Sequence, residues 1–159
     1  MTANWGNTLV IGIGNRSRGD DAIGPRVVDE LGARAAGLTT IVCEGDLADL
    51  ALHWGKDDDV IIIDACSTGA SIGTVNRLEL EQLRPERTWS THGVGISDAV
   101  ELARHLNRLP RSLQLIGIEA RMFGYGPLST ELEEAIPSIV DELLAEILRV
   151  RSQASGHRS

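Results

Sequence analysis

Three residues of this chain have the types needed to bind a metal and polarise a bond: Asp21, Asp64 and His92. Each lies just beyond a segment with strand character. GIGNRSRGDD (12–21) follows the run TLVIGI at 8–13, DACSTG (64–69) follows VIII at 60–63, and STHGVG (90–95) lies in the long loop after TVNRLEL at 74–80. Two carboxylates and one imidazole form a hard-to-borderline donor set, suited to Ni, Zn, Mn or Fe rather than to a thiolate-selected metal. Spacing alone does not join residues so far apart; they converge on one edge if strands 8–13 and 60–63 are sheet neighbours. Each also has an ordinary structural role. Asp20 and Asp21 precede a helix, where acids cap the first turn and meet its dipole. A carboxylate ending an apolar strand, as Asp64 does, must find a partner or face a cleft. A lone histidine in a Gly-bearing loop, as His92 is, is commonly a surface residue, and His53, His105 and His157, on helical or tail positions, are expected at the surface as well.

Other constellations are weaker. Cys66, two residues past Asp64, is either a small buried residue or a nucleophile served by His92 if their loops meet. Gly12-Ile13-Gly14 resembles the opening of a dinucleotide fingerprint, with Glu44 at the end of the second strand, but position 17 is Ser and the acids at 20 and 21 would repel a pyrophosphate. An acid pair after the first strand and Asp64 after the third suggest a Mg²⁺-binding phosphoacceptor. That site needs a Lys after the last strand, where Glu119, Ala120 and Arg121 stand instead. No Ser-His-Asp or HExxH arrangement is visible.

The elements that must position these residues alternate along the chain. Strands are predicted at 8–13, 38–43, 60–63, 74–80 and 113–118. The unalternating VIII implies a central strand buried on both faces. Helical spacing recurs from Ile23 to Leu31, with Pro25 in the first turn, and from about 96 to 107. Leu47, Leu50 and Ala51 suggest a short helix, and Asp57, Asp58 and Asp59 a solvated turn. A last helix starts at a capping box, Thr130 to Glu133, and carries an apolar stripe to Leu148; Pro137 should kink it or mark its true beginning. This order predicts an α/β fold, a three-layer α/β/α sandwich on a mostly parallel five-stranded sheet, with 74–80 as an antiparallel edge. Ligands of such sheets lie beyond the carboxyl ends of the strands, where the three residues fall.

The chain of 159 residues suffices for one domain, expected over 1–150, with a flexible polar tail at 151–159. A net charge of −8 and 3% aromatics argue against nucleic acid as a partner. No apolar run is long enough to span a membrane, and two cysteines outside a CxxC pair fit a reduced, cytoplasmic protein.

The order of motifs resembles the hydrogenase maturation proteases from about residue 8 to 148. The segments that carry the likeness are GIGN with its acid pair and Gly24-Pro25, IIIDA at 61–65, THGVGISDA at 91–99, LIGIE at 115–119 and GPLSTELEEAIP at 126–137. The resemblance implies a cytoplasmic endopeptidase that removes a C-terminal extension from the precursor of a NiFe-hydrogenase large subunit once nickel is inserted. It implies nickel carried by the substrate, no tightly bound cofactor, and Asp21, Asp64 and His92 as the metal-sensing, catalytic residues. Monomer is the default expectation. The competing reading is a non-catalytic, metal-dependent chaperone or adaptor of hydrogenase assembly; a nucleotide-binding regulator is a third. Two departures stand out. Many members carry a D-G-G-T-x-G-like turn after the second strand, where this chain has EGDLAD at 44–49. Arg16 and Arg18 replace residues that are apolar in many members, either to meet an acidic partner or to lie in solvent.

Overall fold

A computed structural model of the chain describes residues 5–82 and 92–155. The strands are β1 (Thr8–Ile13), β2 (Thr39–Cys43), β3 (Asp59–Cys66), β4 (Val75–Glu79) and β5 (Ser112–Glu119). The helices are α1 (Ile23–Arg34), α2 (Gly93–His105) and α3 (Thr130–Ser155), with short 3-10 turns at Gly19–Ala22, Leu50–His53 and Leu80–Gln82. The sheet order is β2-β1-β3-β5-β4, parallel except for β4, which runs antiparallel to β5 at one edge. β1 and β3 are therefore neighbours, and the chain winds outward from them in both directions. The crevice between their carboxyl ends is the topological switch point of the sheet.

Side chains alternate across the strands and divide the interior into two layers. Val10, Ala65, Ile116 and Ile118 face α1 and α3, where Ile23, Val27, Leu31, Leu132, Ile136 and Val140 meet them. Leu9, Ile11, Val60, Ile62, Leu113 and Leu115 face the other way, against Ile96, Val100 and Ala103 of α2 and against Leu50 and Trp54. The expected α/β/α sandwich is the observed one. Exposed ion pairs from Arg26 to Glu133 and Arg34 to Asp141 join α1 to α3.

Several predicted boundaries move. β3 does not stop at Ile63; Asp64, Ala65 and Cys66 continue the ladder opposite Gly117, Ile118 and Glu119. The small and polar DAC sequence disguises this extension, so Asp64 lies within the strand. Asp59, expected in a solvated turn, opens β3 and pairs with Arg111 and Ser112. The short helix around Leu47 is reduced to the 3-10 turn at Leu50–His53. α2 starts at Gly93, which puts His92 at its N-cap rather than within a loop. Residues 84–91 of the segment expected to be irregular lie outside the described residues.

The capping box at Thr130 does not form. Thr130 is already helical, and the Glu133 carboxylate reaches Arg26 instead of its own helix terminus. α3 passes through Pro137, which is therefore not its beginning; the proline removes one N–H and the helix continues on its packed stripe. It also continues to Ser155, five residues into the expected tail, while the Arg151 guanidinium donates to the Trp5 carbonyl and, at 3.1 Å, to Thr8 Oγ1. Residues 156–159 lie outside the described residues. Among the described residues no helix is long and apolar enough to cross a membrane.

The start of α1 lies directly on the sheet at Gly24. A β-carbon there would stand 2.5 Å from the Ile13 carbonyl oxygen and 2.6 Å from that of Ile63. Those carbonyls belong to the two strands that flank the switch point, so the glycine sets how closely α1 seats above it. Gly24→Ala should destabilise the fold by about 1–3 kcal/mol through overpacking, read as a lower denaturant midpoint at unchanged slope.

Candidate functional site

Asp64 occupies the buried end of β3, and its side chain shares the α2-facing side of the sheet with Val60 and Ile62. Its carboxylate has no exposed surface. Oδ1 accepts the Ala65 N–H at 2.8 Å, and Oδ2 accepts the His92 N–H at 3.2 Å. The His92 ring comes back to the same carboxylate, with Nδ1 3.1 Å from Oδ1 and 3.3 Å from Oδ2. One strand acid thus fixes both the entry to α2 and the orientation of its cap histidine, at the helix end where a negative charge is favourable.

Asp21 reaches the same point from the β1–α1 connection. Its Oδ2 accepts the Asn15 N–H at 2.8 Å, and its Oδ1 lies 4.0 Å from His92 Nδ1. Gly14, at φ +146°, makes the turn possible, because a β-carbon there would overlap the Asp21 carbonyl oxygen. One ligand atom from each of Asp21, Asp64 and His92 lies within 4.8 Å of the others. Ligand atoms about 2.0–2.2 Å from a shared metal are at most about 4.4 Å apart, and the Nδ1 distances of 3.1 and 4.0 Å to the two carboxylates lie within that limit. The side chains are 10% exposed at Asp21 and 28% at His92, so the cluster is reached from the Asp21–His92 side.

The hydrogen bond to Asp64 raises the His92 pKa above its usual 6.5; burial opposes this, and the charges of Asp64 and Asp21 add to it. A proton on the imidazole would balance part of the carboxylate charge. A divalent cation would have to displace that proton, because a ligating imidazole is neutral.

The adjacent acids have opposite roles. Asp20 is fully buried, and its carboxylate accepts backbone N–H groups of Arg121 at 3.1 Å, Met122 at 3.0 Å and Ser129 at 2.9 Å. Burial pushes its pKa up, but these donors outweigh it and hold the carboxyl below the ordinary 3.8. Neither acid caps the 3-10 turn or α1 through its side chain, as the ordinary reading expected. Asp20 instead ties the β1–α1 loop to the loop after β5 and to the start of α3.

Glu119 does the same on the other rim, and the sequence reading did not single it out for this role. It is 2% exposed, and it accepts the Thr68 N–H at 2.8 Å, the Thr68 hydroxyl at 2.8 Å and the Gly69 N–H at 3.0 Å. Burial again opposes ionisation, and the donors again win, leaving its pKa below 4.5. The signal was present in LIGIE, an acid ending an apolar run just as in IIIDA.

The alternative chemistries fail on geometry. Cys66 is buried, donates to Glu119 Oε2 at 3.4 Å and accepts from Asn76 Nδ2 at 3.3 Å, so its thiol is held by these two rather than by His92, and burial pushes it up to about 12. Glu44 accepts the Arg16 N–H at 2.9 Å and so holds the β1 loop rather than awaiting a ribose. His53 and His105 are exposed, as expected, and His157 lies outside the described residues. A cavity of about 650 Å³ opens at the opposite end of the sheet, near Thr8, Asp59 and Ser112, and contains none of the three site residues.

The chain is similar to proteins of hydrogenase maturation. Residues 27–146 match the family model described as hydrogenase maturation protease. The hydrogenase expression/formation protein HupM of Azotobacter chroococcum is 29% identical over 158 residues, 92% of this chain and 75% of that protein. The hydrogenase 2 maturation protease of Escherichia coli is 29% identical over 146 residues, 87% of this chain and 89% of that protein. The solved structure of the hydrogenase-maturating endopeptidase HybD from E. coli superposes with a TM-score of 0.75 at 25% identity, covering 91% of this chain and 94% of that one. The NiFe hydrogenase maturation protease HybD from Thermococcus kodakarensis gives 0.73 at 26% identity, covering 90% and 99%.

Two titrations test this account. In metal-free protein, NMR should show His92 titrating above 6.5, and Asp64→Asn should bring it down; the stability this pair contributes is full below pH 6.5 and is lost as pH rises through the raised value. Asp20 and Glu119 work in the other direction. Their contribution is full above the ordinary values of 3.8 and 4.5 and is lost as pH falls through the lowered ones. Asp20→Asn and Glu119→Gln should each lose about 1–3 kcal/mol at pH 7, with the gap to the parent protein shrinking in acid.

Proposed function

We propose that this chain, which belongs to the hydrogenase maturation protease family, cuts a C-terminal extension from the precursor of a NiFe-hydrogenase large subunit and reads the nickel of that substrate with Asp21, Asp64 and His92. The observation that carries the reading is the convergence of these three groups within 4.8 Å at the switch point of the sheet. The nickel belongs to the substrate, and the protein needs no tightly bound cofactor of its own. All three groups come from one chain, so a monomer suffices, and the work is that of a cytoplasmic protein acting away from membranes and nucleic acid.

Hydrolysis of the scissile amide adds a water oxygen to the carbonyl carbon, breaks the C–N bond and delivers a proton to the departing amine. Asp21 is the more open of the two acids and takes the proton from water, then returns it to the amine. Asp64 holds His92 against the crevice, and both orient the metal-bearing end of the substrate. The substrate metal locates the bond and supplies Lewis acidity at the carbonyl. Cleavage is thereby conditional on nickel insertion.

The test is intact-mass analysis of a nickel-loaded large-subunit precursor incubated with the purified protein. The precursor should lose one C-terminal peptide, nickel-free precursor should keep its mass, and Asp21→Asn should slow the reaction by at least about a hundredfold. A nickel-loaded precursor of unchanged mass overturns the peptidase reading and leaves that of a chaperone.

A further inference from the structure

Beside the cluster, on the same edge of the sheet, two loops are locked into a platform that the proposed chemistry does not use. The Gly19 N–H donates to the Gly126 carbonyl at 3.0 Å, the Gly126 N–H to Ser17 at 3.0 Å, and the Asp20 N–H to Met122 at 2.6 Å. Arg18 and Gly126 form a parallel bridge, and the Asp20 carboxylate ties Arg121 and Met122 from below. Phe123 packs inward against the core. The side chains held by this scaffold are nevertheless turned out: Met122 is 67% exposed and Tyr125 84%. The chain has a single Tyr, one Phe and three Trp, and the two tryptophans described, Trp5 and Trp54, are buried. The Arg18 guanidinium carbon lies 5.3 Å from the Tyr125 ring centroid, which stiffens both side chains in solvent.

Charge sharpens the picture. The protein carries −8 overall, yet Arg18 and Arg121 are exposed here, and among the described residues neither forms an ion pair. The nearby acids are engaged: Asp20 with backbone N–H groups, Asp21 within the cluster, Asp29 and Glu44 with Arg16. Tyr, Met and Arg are the residue types enriched in interface cores, and rigid aromatic anchors lose little freedom on binding.

We propose that Arg18, Tyr125 and Met122, with Arg121 at their side, form a docking platform for a segment of the precursor polypeptide that carries an apolar or aromatic side chain next to a carboxylate. The proposal rests on the reading of this protein as the peptidase of such a precursor. The platform is continuous with the cluster through Asp20-Asp21, so a segment seated on it presents the adjoining chain to the crevice. The apolar side chain lies on Tyr125 and Met122, and the carboxylate faces the two guanidinium groups.

Binding and cleavage of the nickel-loaded precursor are measured separately, by titration calorimetry and by intact mass. Tyr125→Ala and Arg18→Glu should each weaken precursor binding by about tenfold and raise KM with kcat unchanged. The loss in Arg18→Glu should shrink as salt is raised, because the contact is solvent-exposed. Tyr125→Phe keeps the ring and should bind like the parent protein. Thermal midpoints should not move, because these side chains are exposed. Parent-like affinity in both Tyr125→Ala and Arg18→Glu overturns the platform, whether or not the precursor is cut. Binding without cleavage by the parent protein, with affinity lost in the two variants, upholds the platform and overturns the peptidase reading. Absence of both binding and cleavage in the parent protein overturns the two together.

Discussion

The carboxylate of Asp64 is buried in a central strand with no exposed surface, and the rest of the site follows from how it is satisfied. An isolated ionised carboxylate in such a place is very costly, so it must gather donors or counter-charge. The chain supplies the Ala65 N–H from the strand itself and, from 28 residues further on, both the N–H and the ring of His92. That requirement pins the start of α2 to the carboxyl end of β3. It also places a titratable ring where the β1–α1 loop delivers Asp21. The cluster is therefore the solution to a packing constraint as much as a display of ligands.

Two further buried acids keep the crevice rims in place, and neither contributes to the cluster. Asp20 gathers three backbone N–H groups from the loop after β5 and the start of α3, and Glu119 gathers those of Thr68 and Gly69 beyond β3. Loops carry unpaired polar backbone, and at a buried rim that backbone needs acceptors. A carboxylate offers two oxygens able to serve several donors at once. The result is a crevice whose floor is strand and whose walls are loops tied by charge-assisted hydrogen bonds. This explains how the loop at Met122 and Tyr125 holds its order while burying so little of its own surface.

Much of this was legible in the sequence, for identifiable reasons. TLVIGI and VIII are apolar on both faces, so β1 and β3 were visible, and the strand-end rule led from them to Asp21 and Asp64, and from the loop after 74–80 to His92. The extension of β3 through Asp64 was hidden because DAC lacks the β-branched signature. Asp20 was hidden for a different reason, whereas Glu119 carried the signal of an acid ending an apolar run. The partners of the Asp20 carboxylate are backbone groups up to 109 residues away, and backbone donors leave no trace in residue type. The T-x-x-E capping box misled for the converse reason: the local pattern was present, but Arg26 of α1 claimed the glutamate.

The charge balance of the cluster connects the resting molecule to its proposed work. With His92 protonated, the trio carries two negative charges and one positive. With a dication bound and His92 neutral, the same groups carry two negative and two positive. The second state is better balanced, and in a half-buried crevice balance weighs more than it does in water. In the proposed function, the contact with His92 keeps the Asp64 carboxylate satisfied until the metal of the substrate takes over as counter-charge. On that proposal, a polypeptide without a metal would offer these carboxylates no counter-charge, and its amide would gain no hold on Asp21 and Asp64. In the proposed function, selectivity for the nickel-loaded precursor follows from this exchange, since the buried carboxylate that organises α2 is the one that the metal would have to satisfy in place of the imidazolium.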